Sequence, residues 1–155
     1  MNTITGTFYR AIDPMHMGSA LDGSRGQGRF NAVDQPTLYL SSSRDGVAAA
    51  MIKHTSANDP ARTVIAVRVE NARVFDLRDA DSPDHAGSSL DDAASDWQEQ
   101  LRENTRPRSW AVRDAIEQTG AHGLIDPSRK SPGLWHLVLF RWNTPGAPTV
   151  TVVDE

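Results

Sequence analysis

The chain of 155 residues contains no cysteine. That excludes disulfides, thiolate nucleophiles and cysteine-bound metal, and it suits a reducing cytoplasm. It also has no excess of positive charge. Sixteen Lys and Arg stand against 20 Asp and Glu, for a net charge of −4 and a pI near 5.7, so no basic field draws the chain to nucleic acid. The short cluster Arg106-Pro107-Arg108 has no ladder of aromatics beside it and reads as a solvated helix entry. No apolar run approaches the roughly 20 residues of a membrane span. The opening Met1-Asn2-Thr3-Ile4 lacks the basic and apolar regions of a signal peptide. What the chain does have, 38% hydrophobic and 23% charged residues, suits one globular domain over residues 1–155 with a single core.

Strands and helices alternate along this domain without a βαβ rhythm. Residues 5–12 carry Thr5, Thr7, Phe8, Tyr9 and Ile12 and read as a first strand. Residues 15–27 are polar and glycine-rich, a long loop of the kind that carries function. A short strand is expected at 37–41, and the Ala48-Ala49-Ala50 run favours a helix over 44–54. Apolar segments at 64–69 and 74–77 read as two further strands. Leu90, Ala93, Ala94, Trp97 and Leu101 share one helical face, which predicts a helix over 89–103 with Ser89 as N-cap. A second helix spans 109–118 and ends at Gly120. Closing strands are expected at 122–126, 134–142 and 149–153. The fold class is α+β, with helices interrupting a mostly antiparallel sheet.

The segment richest in chemical meaning is Gly26-Gln27-Gly28-Arg29-Phe30-Asn31. Glycine lets a backbone turn sharply or approach a ligand, and a guanidinium offers a planar fork of donors suited to phosphate. The order of glycines does not match a dinucleotide-binding fingerprint, with neither a buried strand before it nor a helix after it, and a Walker pattern is absent. The five histidines, His16, His54, His85, His122 and His136, show no metal-ligand spacing, so no metal is expected. Ser128 with a distant histidine lacks the Gly-x-Ser-x-Gly elbow of a hydrolase.

Four ordered matches point further. Phe8-Tyr9-Arg10-Ala11, Gly28-Arg29-Phe30-Asn31, Leu38-Tyr39-Leu40 and the turn from Gly123 to Ser128 before an apolar strand resemble the RES domain family. These are toxins of bacterial toxin–antitoxin pairs. The resemblance covers nearly the whole chain, from about Phe8 to about Phe140. It departs at one place: the family's glutamate falls eleven positions after the tyrosine, where this chain has Ala50, and no acidic residue lies between Asp45 and Asp59.

The resemblance implies an ADP-ribosyltransferase-like fold and an enzyme that depletes NAD by cleaving the nicotinamide–ribose bond, by hydrolysis or phosphorolysis. Transfer of ADP-ribose to a protein is the alternative activity. A catalytically dead module that holds a nucleotide or an antitoxin is the alternative class. Arg10 and Arg29 would supply cations for the pyrophosphate. Tyr39 and Phe30 would offer a surface to nicotinamide, and Ser128 a hydroxyl to orient ribose or amide, with Ser109 as the second candidate for the family's serine. The empty position at Ala50 implies an impaired form. The implied partner is a small Xre-like antitoxin with a helix-turn-helix domain, and the implied setting is the cytoplasm.

Overall fold

The computed structural model describes residues 1–24, 26–51, 62–78, 90–128 and 132–153. Six strands form one sheet: β1 (Asn2–Ile12), β2 (Leu38–Ser41), β3 (Thr63–Asp76), β4 (Gly123–Pro127), β5 (Trp135–Leu139) and β6 (Thr149–Val153). Their order is β1-β2-β5-β4-β3-β6, and β1 also pairs with β3. The strands β1, β2, β5, β4 and β3 therefore close into a ring, with β6 added to β3. All pairings are antiparallel except β3 with β4. The α+β expectation holds as a sheet-dominated mixed fold with few helices.

Alternation along the strands sorts the apolar side chains into two cores. The inward face carries Phe8, Ile12, Leu38, Leu40, Val67, Leu137 and Leu139. The outward face carries Leu124 and Val138, packed with Phe30, Phe75, Val112 and Ile116 beneath helix α4 (Arg108–Gln118). Helix α1 (Arg44–Met51) follows β2 and packs on β1 and β2. Residues 52–54 of the expected helix, and the proposed cap Ser89, lie outside the described residues.

Three expectations change. The two strands expected at 64–69 and 74–77 are one strand, β3, because a bulge carries the polar Glu70-Asn71 step through the sheet. Ile4 faces Ala72 and Gly6 faces Val69, so β3 holds one extra residue there. Asn71 takes φ 63 and its N–H donates to Thr5 Oγ1 at 3.0 Å, which absorbs the irregularity. The helix expected over 89–103 is two short ones, α2 (Leu90–Ala93) and α3 (Trp97–Arg102). Asp96 ends the run by accepting from Glu99 N–H at 3.1 Å, a cap that starts a new helix. Within the loop expected at 15–27, Pro14–Ser19 forms a 3-10 turn capped by Asp13, whose carboxylate accepts from Met15 N–H at 3.0 Å.

Candidate active site

The glycine-arginine segment is a tight turn in which Gly28 and Asn31 pair across an isolated bridge. Tyr39, on the outward face of β2, holds the turn from the sheet side. Its hydroxyl accepts from Phe30 N–H at 3.0 Å and donates to Asn31 Oδ1 at 2.6 Å. A Cβ on Gly28 would lie 2.8 Å from that hydroxyl and 2.5 Å from Asn31 Oδ1. Glycine is therefore required here by close approach; its φ is not in the left-handed region. Burial pushes the Tyr39 hydroxyl up to about 12, against the Phe30 amide and the cations of Arg113 and Arg29, which favour the anion. Tyr39 is thus a neutral donor at physiological pH.

Arg29 projects from this turn. Its Nη1 donates to the carbonyls of Ala93 at 3.1 Å and Ser95 at 2.6 Å, tying the turn to the end of α2. Phe30 is only 1% exposed and sits in the outward core against which Tyr39 packs, so its ring offers no open face to a ligand. Ser109, fully buried in the first turn of α4, donates through Oγ to the carbonyl of Arg29. The structure thus joins Arg29, Phe30, Tyr39 and Ser109 directly.

Arg10 stands elsewhere. It pairs with Ile65 on β3 and, by strand alternation, shares the inward face with Phe8 and Ile12. Its Nε is buried with no hydrogen-bond partner among the described residues. Burial, and then the neighbouring charge of Arg62, hold its guanidinium below the usual arginine range. Tyr9 takes the opposite face, with the Arg44 guanidinium 5.0 Å from its ring centroid. Ser128 follows β4 directly and donates its N–H to Leu134 O at 2.9 Å. At the same end of the sheet Ser42 N–H donates to Trp135 O at 2.9 Å. Ala50 lies in the last turn of α1.

The sequence reading missed several polar residues of the outward face. Ser41, His136 and Asp126 occupy one row across β2, β5 and β4, with Ser41 Oγ 3.1 Å from His136 Nδ1. Strand register could have placed them in line, but only once the pairing of β2 with β5 was known. Arg113 is 3% exposed, donates to Phe30 O at 2.9 Å and Thr37 Oγ1 at 3.0 Å, and lies 4.6 Å from the Phe140 ring centroid. As a charged residue in the helix expected over 109–118, it gave no hint that it faces inward. Among the described residues, no group of three His, Cys, Asp or Glu could hold a metal ion, and no helix is long and apolar enough to cross a membrane.

This sheet-dominated fold, with an arginine-bearing turn fixed beneath a helix, corresponds to a known class of domain. The RES domain model matches residues 4–155, and the chain belongs to that family. In structure it is similar to a chain in the crystal structure of the M. tuberculosis MbcT-MbcA toxin-antitoxin complex. That likeness has a TM-score of 0.60 at 19% identity and covers 98% of this chain and 86% of the other. At that identity the likeness is one of fold. No curated protein matches the sequence.

Proposed function

We propose that this chain is the toxin of a bacterial toxin–antitoxin pair, built to consume NAD by cleaving the bond between nicotinamide and ribose. The observation that carries the reading is Arg10. The fold places Arg10 beside a second cation, Arg62, with its Nε buried and without an acceptor among the described residues. Buried donors are nearly always satisfied, so an anion from outside the chain is the natural complement. Family membership over residues 4–155 supports reading that anion as the NAD pyrophosphate. The fold would then be ADP-ribosyltransferase-like, and the setting cytoplasmic.

Cleavage of the nicotinamide–ribose bond moves positive charge onto the ribose, through an oxocarbenium-like transition state. Arg10 and Arg29 are the cations proposed for the pyrophosphate, although the sheet carries them on opposite faces; Tyr39 would flank the nicotinamide, and Ser128 would orient the ribose or the amide. Water or phosphate would accept the ribosyl group, with a protein side chain as the alternative acceptor. A carboxylate facing the developing charge would complete the site. Ala50 supplies none, which favours a second reading in which this form binds nucleotide or antitoxin and turns over little.

Incubation with NAD, following nicotinamide release, tests both readings. The expected result is slow turnover by this chain and a rise of roughly 100-fold to 1,000-fold in Ala50→Glu, the scale of one electrostatic stabiliser in other active sites. Equal activity in the two forms would remove position 50 from the mechanism. The toxin reading also implies an Xre-like partner with a helix-turn-helix domain, whose C-terminal segment would enter beside Arg10 and Arg29. With a net charge of −4, operator binding should belong to that partner. A DNA shift assay on each component, after co-purification with the adjacent gene product, checks this. Tight operator binding by the isolated chain would count against it.

A further inference from the structure

Three consecutive carbonyls of the arginine turn each accept a hydrogen bond from a side chain of α4. Trp110 Nε1 donates to Gly28 O at 2.8 Å, Ser109 Oγ donates to Arg29 O, and Arg113 Nη1 donates to Phe30 O at 2.9 Å. The opposite side of the turn is held by Tyr39, through Phe30 N–H and Asn31 Oδ1. Asn31 Nδ2 secures the flanks by donating to Gly26 O at 2.8 Å and Ala32 O at 2.9 Å. A glycine-containing turn ordinarily retains backbone freedom. Here that freedom is removed by donors about eighty residues away in sequence, and Arg29 projects from the clamped peptides to the end of α2.

The geometry points to Ser109, Trp110 and Arg113 as positioning residues that fix the backbone of Arg29, whose Nη1 rests on Ala93 O and Ser95 O, and so set the direction from which its guanidinium meets the pyrophosphate of the substrate. A guanidinium gains from a diphosphate only when its fork meets the oxygens in register. Holding the Cα of Arg29 from three peptide units removes the ordering cost that a free loop would pay on binding. The same contacts give Ser109 an occupation of its own: its hydroxyl serves the Arg29 carbonyl, which leaves the ribose-orienting role to Ser128. Arg113 is itself braced, with Nε donating to Glu117 Oε2 at 2.8 Å, so the clamp's longest arm has a fixed direction. This assignment rests on the NAD reading of the site.

The test is calorimetric titration of the full chain with two ligands, NAD and nicotinamide riboside, which lacks the pyrophosphate. Ser109→Ala deletes one donor with little change of shape, Trp110→Phe deletes one together with the pyrrole half of a buried indole, and thermal unfolding confirms that each variant folds. Each should weaken NAD binding roughly threefold to tenfold, the affinity equivalent of one hydrogen bond. Nicotinamide riboside should be unaffected, and both losses should vanish in an Arg29→Met background. Arg113→Lys should retain more NAD affinity than Arg113→Met. Unchanged NAD affinity in folded variants would overturn the clamp while leaving the NAD site standing. So would equal losses for the two ligands, or losses that persist without Arg29, which would mark the donors as merely structural. Absence of NAD binding by the parent chain would overturn the NAD reading itself, and the clamp's purpose with it.

Discussion

Arg10 and Arg29 carry the same charge, and the two are held in opposite ways. Arg29 extends from a turn whose carbonyls and amides are engaged by α4 and Tyr39, and its Nη1 rests on two carbonyls at the end of α2. Arg10 shares the inward sheet face, its buried Nε without an acceptor among the described residues and the charge of Arg62 beside it. The first arrangement contributes to folding. The second works against it, because removing a guanidinium from water without compensating bonds costs free energy. A fold that retains such a group points to a use beyond stability, and the two arginines should respond differently to the same mutation.

Arg10→Met and Arg29→Met should separate the two arginines most clearly. Methionine fills much of the arginine stem and removes the charge. At Arg10 it should leave the unfolding temperature unchanged or raise it, while NAD affinity falls about tenfold to 100-fold, or roughly 1.4 to 2.8 kcal/mol. At Arg29 the same change should lower both, since the turn loses its tie to Ala93 and Ser95. Arg29→Lys should keep the charge yet still weaken NAD binding, because an ammonium cannot form a two-pronged contact with phosphate. Paired melting curves and calorimetry read the two quantities separately. A large loss of stability at Arg10 would place it among the structural arginines.

A smaller effect sharpens the other half of the comparison. Gly28→Ala places a methyl against the Tyr39 hydroxyl and Asn31 Oδ1, two atoms fixed by their own hydrogen bonds. The expected cost is about 1 to 3 kcal/mol of stability, typical of overpacking. Gly26, where a Cβ would meet nothing within 4 Å, should accept alanine without loss. Denaturant melts of the two variants decide the matter. Equal behaviour would mean that the turn is softer than its hydrogen bonds imply.

Much of this was legible in the sequence. β-Branched and aromatic runs located most strands, and the order of glycine, arginine and tyrosine located the turn that Tyr39 holds. The distant contacts were not legible. The contacts of Ser109 with Arg29 and of Arg113 with Phe30 join residues 80 and 83 positions apart, and no periodicity encodes them. Nor did the polar step Glu70-Asn71 announce a continuous strand, because a bulge is stabilised by its neighbour, here Thr5, and not by the residues within it. The sheet face of Arg10 was hidden for the same reason. Alternation in residues 5–12 is not clean, so the shared side of Phe8 and Arg10 emerges only from the pairing of β1 with β3, whose closure makes that side the interior.

His122 gives the smallest effect and lies away from both arginines, so it reports on the frame alone. Its Nδ1 accepts from Arg73 N–H at 3.0 Å, which fixes the neutral tautomer with the proton on Nε2, 3.0 Å from Gly146 O. Burial holds its pKa below the ordinary histidine value; the Gly146 carbonyl opposes this, and the charges of Arg73 and Arg141 reinforce it. Protonation would destroy the acceptor that Arg73 N–H uses. The folded state therefore binds this proton less readily than the unfolded chain does, and stability must rise with pH across the gap between the two values. The contribution should be fully present above about pH 6.5, the unfolded value, and should fade as pH falls below it. Unfolding temperatures compared between pH 7.5 and 5.5 should show a drop that His122→Gln reduces, since glutamine neither gains nor loses charge in that interval. An identical drop in both proteins would assign the acid sensitivity to other groups and leave His122 as a simple packing residue.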